Sequence, residues 1–197
     1  PNPDLIRLGA ALQSSLRGTV CLYQGEELGL PEASLAYEDL QDPYGITMWP
    51  QYKGRDGCRT PMPWSAGQPQ ASFTTAPKPW LPVAPSHLAL AVDRQQADPT
   101  STLAYFTQLL HWRRTQPALL HGSMALQPSH PQVLAFERAV PEQSMLCVFN
   151  FSDRPVDWHL PAGWEAAQLQ SGSGLAGAQV HGASLRLDAW GGAFLQT

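Results

Sequence analysis

The sequence predicts an α+β chain: one helix-to-strand step, a long proline-stiffened loop, a further helix, and then an antiparallel β-sandwich. Three observations carry this. Leucines at helical spacing run into a short apolar stretch bounded by glycine near the start. Eleven of the 19 prolines fall between Pro31 and Pro99. From about Gly122 the apolar pattern changes to period two, in short runs separated by Pro, Gly, Ser or Asn.

Asp4 to Arg17 places Leu5, Leu8, Leu12 and Leu16 three and four apart, the stripe of an amphipathic helix, and Gly18 stands where such a helix stops. Val20 to Tyr23 reads as a strand buried on both faces of a parallel sheet. Helix, turn and buried strand make one αβ step of a barrel or of a doubly wound sheet, and periodicity does not separate the two. Glu26 and Glu27 follow at the end where such folds place their sites. As a cooperating acid/base pair they fail on geometry, because consecutive residues of extended chain point to opposite sides. Their expected role is hydrogen bonding within the turn.

The stretch 31–99 is expected to be extended loop, with one weak helical hint at Ala33 to Leu40. Loops this long in compact domains serve as lids or binding walls. Trp49, Tyr52, Trp64, Phe73 and Trp80 argue against disorder and are expected to anchor the loop to its scaffold. Within it, Gly54 to Trp64 reads Gly-Arg-Asp-Gly-Cys-Arg-Thr-Pro-Met-Pro-Trp. Pro61 and Pro63 fix their own φ and push Thr60 and Met62 toward extended geometry. Arg55 and Arg59 are thereby carried as guanidinium forks on stiff backbone, suited either to an internal carboxylate latch or to a ligand with carboxylate or vicinal hydroxyls.

Asp98-Pro99 is expected to open a helix that reaches about Gln116, with Leu103, Phe106 and Leu110 on one stripe and Tyr105, Leu109 and Trp112 widening it. The expected strands are Gln132–Arg138, Met145–Asn150, Val156–Leu160, Glu165–Leu169, Ser184–Leu187 and Ala193–Gln196, with Trp158 and Trp190 read as core rather than as a sugar platform.

The net charge of -4 gives no reason to expect nucleic acid or an anionic membrane as partner. No apolar run approaches the roughly 20 residues of a membrane span. The three cysteines, Cys21, Cys58 and Cys147, are far apart and the six histidines scattered, so reduced thiols in a cytoplasmic protein are expected, with no metal and no cofactor. With 197 residues, beginning at Pro1, the chain reads as an excerpt or processed piece.

The arginine stretch, followed by Ser72-Phe73-Thr74-Thr75 and by Lys78-Pro79-Trp80-Leu81-Pro82-Val83, resembles the segment after the last barrel strand in the α-glucosidases and oligo-1,6-glucosidases of the α-amylase family. Gly18 to Leu30, Gly-Thr-Val-Cys-Leu-Tyr-Gln-Gly-Glu-Glu-Leu-Gly-Leu, resembles that family's eighth strand and the turn leaving it. The resemblance implies that residues 1–120 are the C-terminal part of a catalytic TIM (β/α)8 barrel, including the long loop after its eighth strand and its final helix, and that residues 121–197 are an all-β domain. It implies a retaining mechanism whose aspartate nucleophile, glutamate acid/base and third aspartate all lie upstream of Pro1, so that no catalytic residue is expected in this chain and the piece alone is expected to be inactive. It puts Arg59 on the nonreducing-end glucose of an oligosaccharide substrate, with Arg55 as a neighbouring support or second contact. The other partner implied is the upstream part of the same enzyme. Pro31 to Trp49 resembles bacterial α-glucosidases of short maltose-type or sucrose-type substrates, leaving linkage and the choice between hydrolysis and transfer open. The residues read alone also allow a non-catalytic carbohydrate-binding or interaction module built on the β domain.

Overall fold

In the computed structural model, which describes residues 2–128 and 130–197, the first helix, α1, spans Pro3–Ser15. Asn2 caps it, its side chain accepting from the Asp4 N–H at 3.0 Å, and a proline sits in the first turn. The leucine stripe is buried at its middle, Leu8 fully and Leu12 in part, and not at its ends. Leu8, Ala11 and Ser15 are buried with Ala10 and Ser14, whereas Leu5 and Leu16 are exposed. The reason lies at the helix C-terminus, whose last carbonyls lack intrahelical partners. Arg113 Nε donates to Ser14 O at 2.6 Å, and the buried Arg138 donates to Ser15 O while its other nitrogens reach Gly122 O and Ser123 O. Two cations at the negative end of the dipole fix which face turns inward.

Val20 to Tyr23 forms no strand, and Cys21 and Tyr23 are exposed. A parallel strand is stable only through ladder bonds to neighbours, and no described residue pairs with this stretch.

The described residues divide into two compact units, one of residues 22–104 and one combining residues 2–21 with 105–197. The first contains no strand and is largely loop, as expected, with short turns along it: 3-10 turns at Glu26–Leu28, Tyr37–Asp39, Asp56–Cys58, Pro69–Ser72 and Pro85–Leu90, with α2 at Pro43–Thr47 and α3 at Val92–Gln96. Pro43 and Pro85 open two of these at first-turn positions where the missing N–H costs nothing, whereas Gln70, Ala71 and Ser72 after Pro69 stand at positive φ, so that turn is left-handed. The large aromatic residues are not its anchors. Tyr52, Trp64, Phe73 and Trp80 are 42–52% exposed, and only Trp49 leans on another ring, Tyr37, at 5.8 Å. Small buried side chains take that place, Ala33, Leu40, Ala71, Leu81, Ala84 and Ala91. Gln95 ties the unit together by donating to Leu28 O and Leu90 O and accepting from the Leu103 N–H.

Helix α4, Thr102–Arg113, starts later than expected because Asp98 closes a turn on Thr100, leaving Ser101 to cap by accepting from the Ala104 N–H. Pro117 ends that helical run and opens another, α5, Pro117–His121.

Eight strands follow: β1 Ser123–Leu126, β2 Val133–Val140, β3 Gln143–Asn150, β4 Val156–His159, β5 Gln168–Leu169, β6 Ala178–His181, β7 Ser184–Leu187 and β8 Gly192–Gln196. They form two antiparallel sheets, β1-β2-β3-β8-β5 and β4-β7-β6. The first sheet faces the second through Val133, Ala135, Leu146, Val148 and Leu195, which meet Val156, Trp158, Leu185 and Leu187. On its other face Phe136, Phe149 and Phe194 stack in series, and Trp112 of α4 joins Phe194 at 4.8 Å. Covered on both faces, β3 is buried at its last six positions and loses the expected alternation. Trp158 is core, as expected. Trp190 is not: it is half-buried, outside the core cluster and at φ 55°.

Candidate functional site

The arginine stretch is braced by two buried carboxylates. Asp56 is 1% exposed, and its Oδ2 accepts from the Gln41 and Asp42 N–H groups at 2.6 and 2.7 Å. Asp42 is 2% exposed and accepts three bonds, from the Tyr44 N–H at 3.1 Å and from the Arg55 N–H and Nε at 3.0 Å each. The hydrogen bond from the Arg55 guanidinium is the chief reason that the Asp42 carboxyl titrates below the usual carboxylate range, against the opposing effect of desolvation. Gly54, at φ 73°, permits this closeness, since a Cβ there would lie 3.0 Å from Asp42 Cβ and from Gly45 Cα. Gly57 O accepts from the Ala33 N–H at 3.0 Å, and a Cβ on Gly57 would lie 2.6 Å from Ala33 O. Both carboxylates thus hold the loop through backbone N–H groups, and Asp42 does so by charge as well.

The two arginines, equivalent in the sequence, differ here. Arg55 is the latch: its Nε sits 3.0 Å from Asp42 Oδ2, although the side chain stays 58% exposed. Arg59 is half-buried, its backbone N–H is fixed on Asp56 O at 2.9 Å, and its guanidinium has no hydrogen bond or ion pair among the described residues. A fork with five donors is thereby held on braced backbone with its donors uncommitted.

Cys58 and Thr60, on either side of Arg59, line a pocket of about 220 Å³ with Tyr23, Gln24, Glu26 and His87. His87, only 2% exposed, donates from Nε2 to Pro31 O at 2.8 Å, so with the proton there Nδ1 accepts from the Thr60 hydroxyl at 3.4 Å. Gln24 Nε2 donates to Thr60 O. These contacts hold Thr60 and, through it, the start of the proline stretch. His87 and Asp42 were missed in the sequence because each acts from outside the motif, and Asp42-Pro43 followed by Tyr44-Gly45 was a legible helix start. Glu27 serves its own turn, accepting from the Gly25 N–H at 2.9 Å, as its spacing suggested. Among the described residues no group of three or more His, Cys, Asp or Glu side chains is arranged to hold a metal ion.

Comparison with known proteins gives the family of the chain. Residues 3–122 match the family profile described as alpha amylase, catalytic domain, and residues 124–193 match that of the maltogenic amylase C-terminal domain. A probable alpha-glucosidase of Rhizobium meliloti is 44% identical over 188 residues, 95% of this chain and 33% of that protein. A probable oligo-1,6-glucosidase of Bacillus subtilis is 34% identical over 81% of this chain and 31% of its own length. The chain therefore spans about a third of the length of the curated relatives it matches. Among solved structures, the alpha-glucosyl transfer enzyme XgtA superposes with a TM-score of 0.92 at 48% identity, over 99% of this chain and 36% of that one. The trehalulose synthase MutB of Pseudomonas mesoacidophila gives 0.78 at 26% identity, over 98% and 38%.

Proposed function

Because this chain belongs to the α-amylase family, we propose that it is the C-terminal portion of a retaining α-glucosidase that removes terminal α-linked glucose from short oligosaccharides. In this reading residues 1–120 close the catalytic barrel and residues 121–197 form its all-β domain. In the same reading, which follows the family resemblance, the piece contributes substrate binding, the acid, base and nucleophile are those of the upstream part of the enzyme, and the piece alone is inactive; Asp42, Asp56 and Glu27 are occupied in holding backbone N–H groups. The names of the relatives support the substrate class.

The observation that carries the proposal is the uncommitted guanidinium of Arg59 on a loop that two carboxylates and two prolines have already ordered. A sugar presents neighbouring hydroxyls at the spacing a fork can donate to, and a braced fork loses little entropy on binding. In the assembled enzyme an aspartate from the first part of the barrel shares the nonreducing-end glucose with Arg59, and Arg55 supports the loop. The three thiols, all free, suit the cytoplasm.

The test is Arg59→Lys in the complete enzyme. Lysine keeps the charge and loses the fork, so kcat/KM for an aryl α-glucoside falls about 10–100-fold, as expected for losing one charged hydrogen-bonding group worth about 1.5–3 kcal/mol. Unchanged kinetics would refute the assignment. A second reading, transfer of the glucosyl group to an acceptor other than water, draws on the likeness to an alpha-glucosyl transfer enzyme. Product analysis with and without added acceptor alcohol separates the two.

A further inference from the structure

Arg59 is the residue at which the chain leaves the Asp56–Cys58 turn for the proline stretch, at φ -120° and ψ 9°. The direction of its fork is therefore set by whatever holds the chain on either side. On one side its own N–H is fixed on Asp56 O at 2.9 Å. On the other stands Thr60, 5% exposed, whose hydroxyl meets His87 Nδ1 at 3.4 Å. Pro61 narrows the backbone of Thr60 to extended geometry and leaves its place in space undecided. Cys58 and Thr60 also border the pocket of about 220 Å³, so this stretch faces open volume where other parts of the loop meet packed side chains. Chain beside such a space relaxes toward it unless a contact from the far wall holds it off.

His87 supplies that contact, and it is itself immobilised. Its backbone N–H donates to Ala84 O at 3.0 Å, and its Nε2 donates to Pro31 O at 2.8 Å. A carbonyl can only accept, so the neutral ring keeps its proton on Nε2 and turns the Nδ1 lone pair to Thr60. Packing alone would be served by leucine. The imidazole adds an acceptor aimed at the residue that follows Arg59, and Gln24 Nε2 adds a longer tie to Thr60 O at 3.4 Å. From this chain of contacts we infer that His87 is a positioning residue for substrate recognition, holding through Thr60 the backbone on which the Arg59 fork is aimed. It does not itself touch the sugar. The inference rests on the sugar-binding role proposed for Arg59.

The experiment measures kcat and KM of the complete enzyme for an aryl α-glucoside in His87→Leu, His87→Gln and Thr60→Val, each alone and combined with Arg59→Lys. Leucine fills the space of the ring without either bond, and KM is expected to rise about 3–10-fold with kcat within about twofold, the scale of one lost neutral hydrogen bond. Glutamine offers both a donor and an acceptor and recovers most of that loss. Thr60→Val removes the hydroxyl alone and gives a similar rise in KM, which keeps the test decisive if His87→Leu does not fold. In the Arg59→Lys background each substitution adds less than about twofold, because the group being aimed is gone. Wild-type kinetics in Thr60→Val, or a rise in KM that multiplies in full with that of Arg59→Lys, overturns the inference and leaves the role of Arg59 standing. An Arg59→Lys variant with unchanged kinetics instead removes the reading on which it rests.

Discussion

Replacing Asp42 and Asp56 by asparagine, one at a time, separates two carboxylates that look alike in burial and differ in how they use their oxygens. Asp42 commits both: Oδ1 accepts from Tyr44 and Oδ2 from the backbone and side chain of Arg55. An amide has one acceptor oxygen, so Asp42→Asn must turn its NH₂ on one of those donors. The better orientation keeps Arg55 and abandons the Tyr44 N–H, the cap of α2. Loss of a helix cap costs about 0.5–2 kcal/mol, and weakening a charge-assisted bond to an arginine that is 58% exposed adds about 0.2–1 kcal/mol after solvent screening, together about 1–3 kcal/mol. Asp56 uses Oδ2 alone, and its buried Oδ1 has no partner among the described residues. Asp56→Asn therefore keeps both bonds, and the weaker acceptor is offset by removing a buried charge with no cation against it. Amide hydrogen exchange at pH 7 reads both. Exchange at Tyr44 should accelerate about 10–100-fold in Asp42→Asn, at 1.4 kcal/mol per tenfold, while Gln41 in Asp56→Asn stays within a few-fold of wild type. Equal losses from the two variants would refute the reasoning, as would no loss from Asp42→Asn. The pH dependence supplies a control. The Asp42 carboxyl is depressed in the folded chain, so its contribution is present above the unfolded value of about 3.9 and is lost as pH falls through the lower folded value. The Asp42→Asn variant, whose amide does not titrate, has no such loss.

The remaining predictions concern the scaffold and the fork. Arg138→Met leaves Ser15 O, Gly122 O and Ser123 O without their buried donor, and should lower the denaturation free energy by about 2–4 kcal/mol in a urea titration with unchanged slope. Gly57→Ala drives a Cβ against Ala33 O and should cost about 1–3 kcal/mol by the same measurement, with faster exchange at the Ala33 amide. Arg55→Lys, which keeps a cation beside Asp42, should raise KM for an aryl α-glucoside less than Arg59→Lys does, and steady-state kinetics of the two side by side give the order.

The β domain was legible because its cause is local. Period-two runs and the turn residues between them reported six strands, and what escaped was short or atypical: β1 carries Ser-Met-Ala-Leu with three of four positions exposed, and β6 is Ala-Gln-Val-His. Elsewhere the signal was misread where tertiary structure overrode it. The leucine spacing of α1 predicted the right element and only part of its buried face, because Arg113 and Arg138, about a hundred residues away, also draw inward the side bearing Ser14 and Ser15. Proline density predicted the long loop, and what it left unreported is that Pro43 and Pro85 start short helical turns within it. Trp190 reads as core from its type, and only its φ angle says otherwise.

The candidate site shows where motif reading stops. Gly-Arg-Asp-x-x-Arg fixes that two forks stand four residues apart on stiff chain, and nothing in that spacing says which is spent internally. The decision falls to Asp42, thirteen residues before Arg55, which can reach Arg55 because Asp56 draws the Gln41 and Asp42 amides against the motif. The acidic residue inside the motif thus positions the acidic residue outside it, and the latter removes Arg55 from competition. Had Asp42 reached Arg59 instead, the fork that is free would have been neutralised and partly desolvated, and a neutral sugar would gain little by displacing a carboxylate from it. On the proposed reading, the latch at Arg55 is the condition under which the Arg59 fork stays available to a sugar.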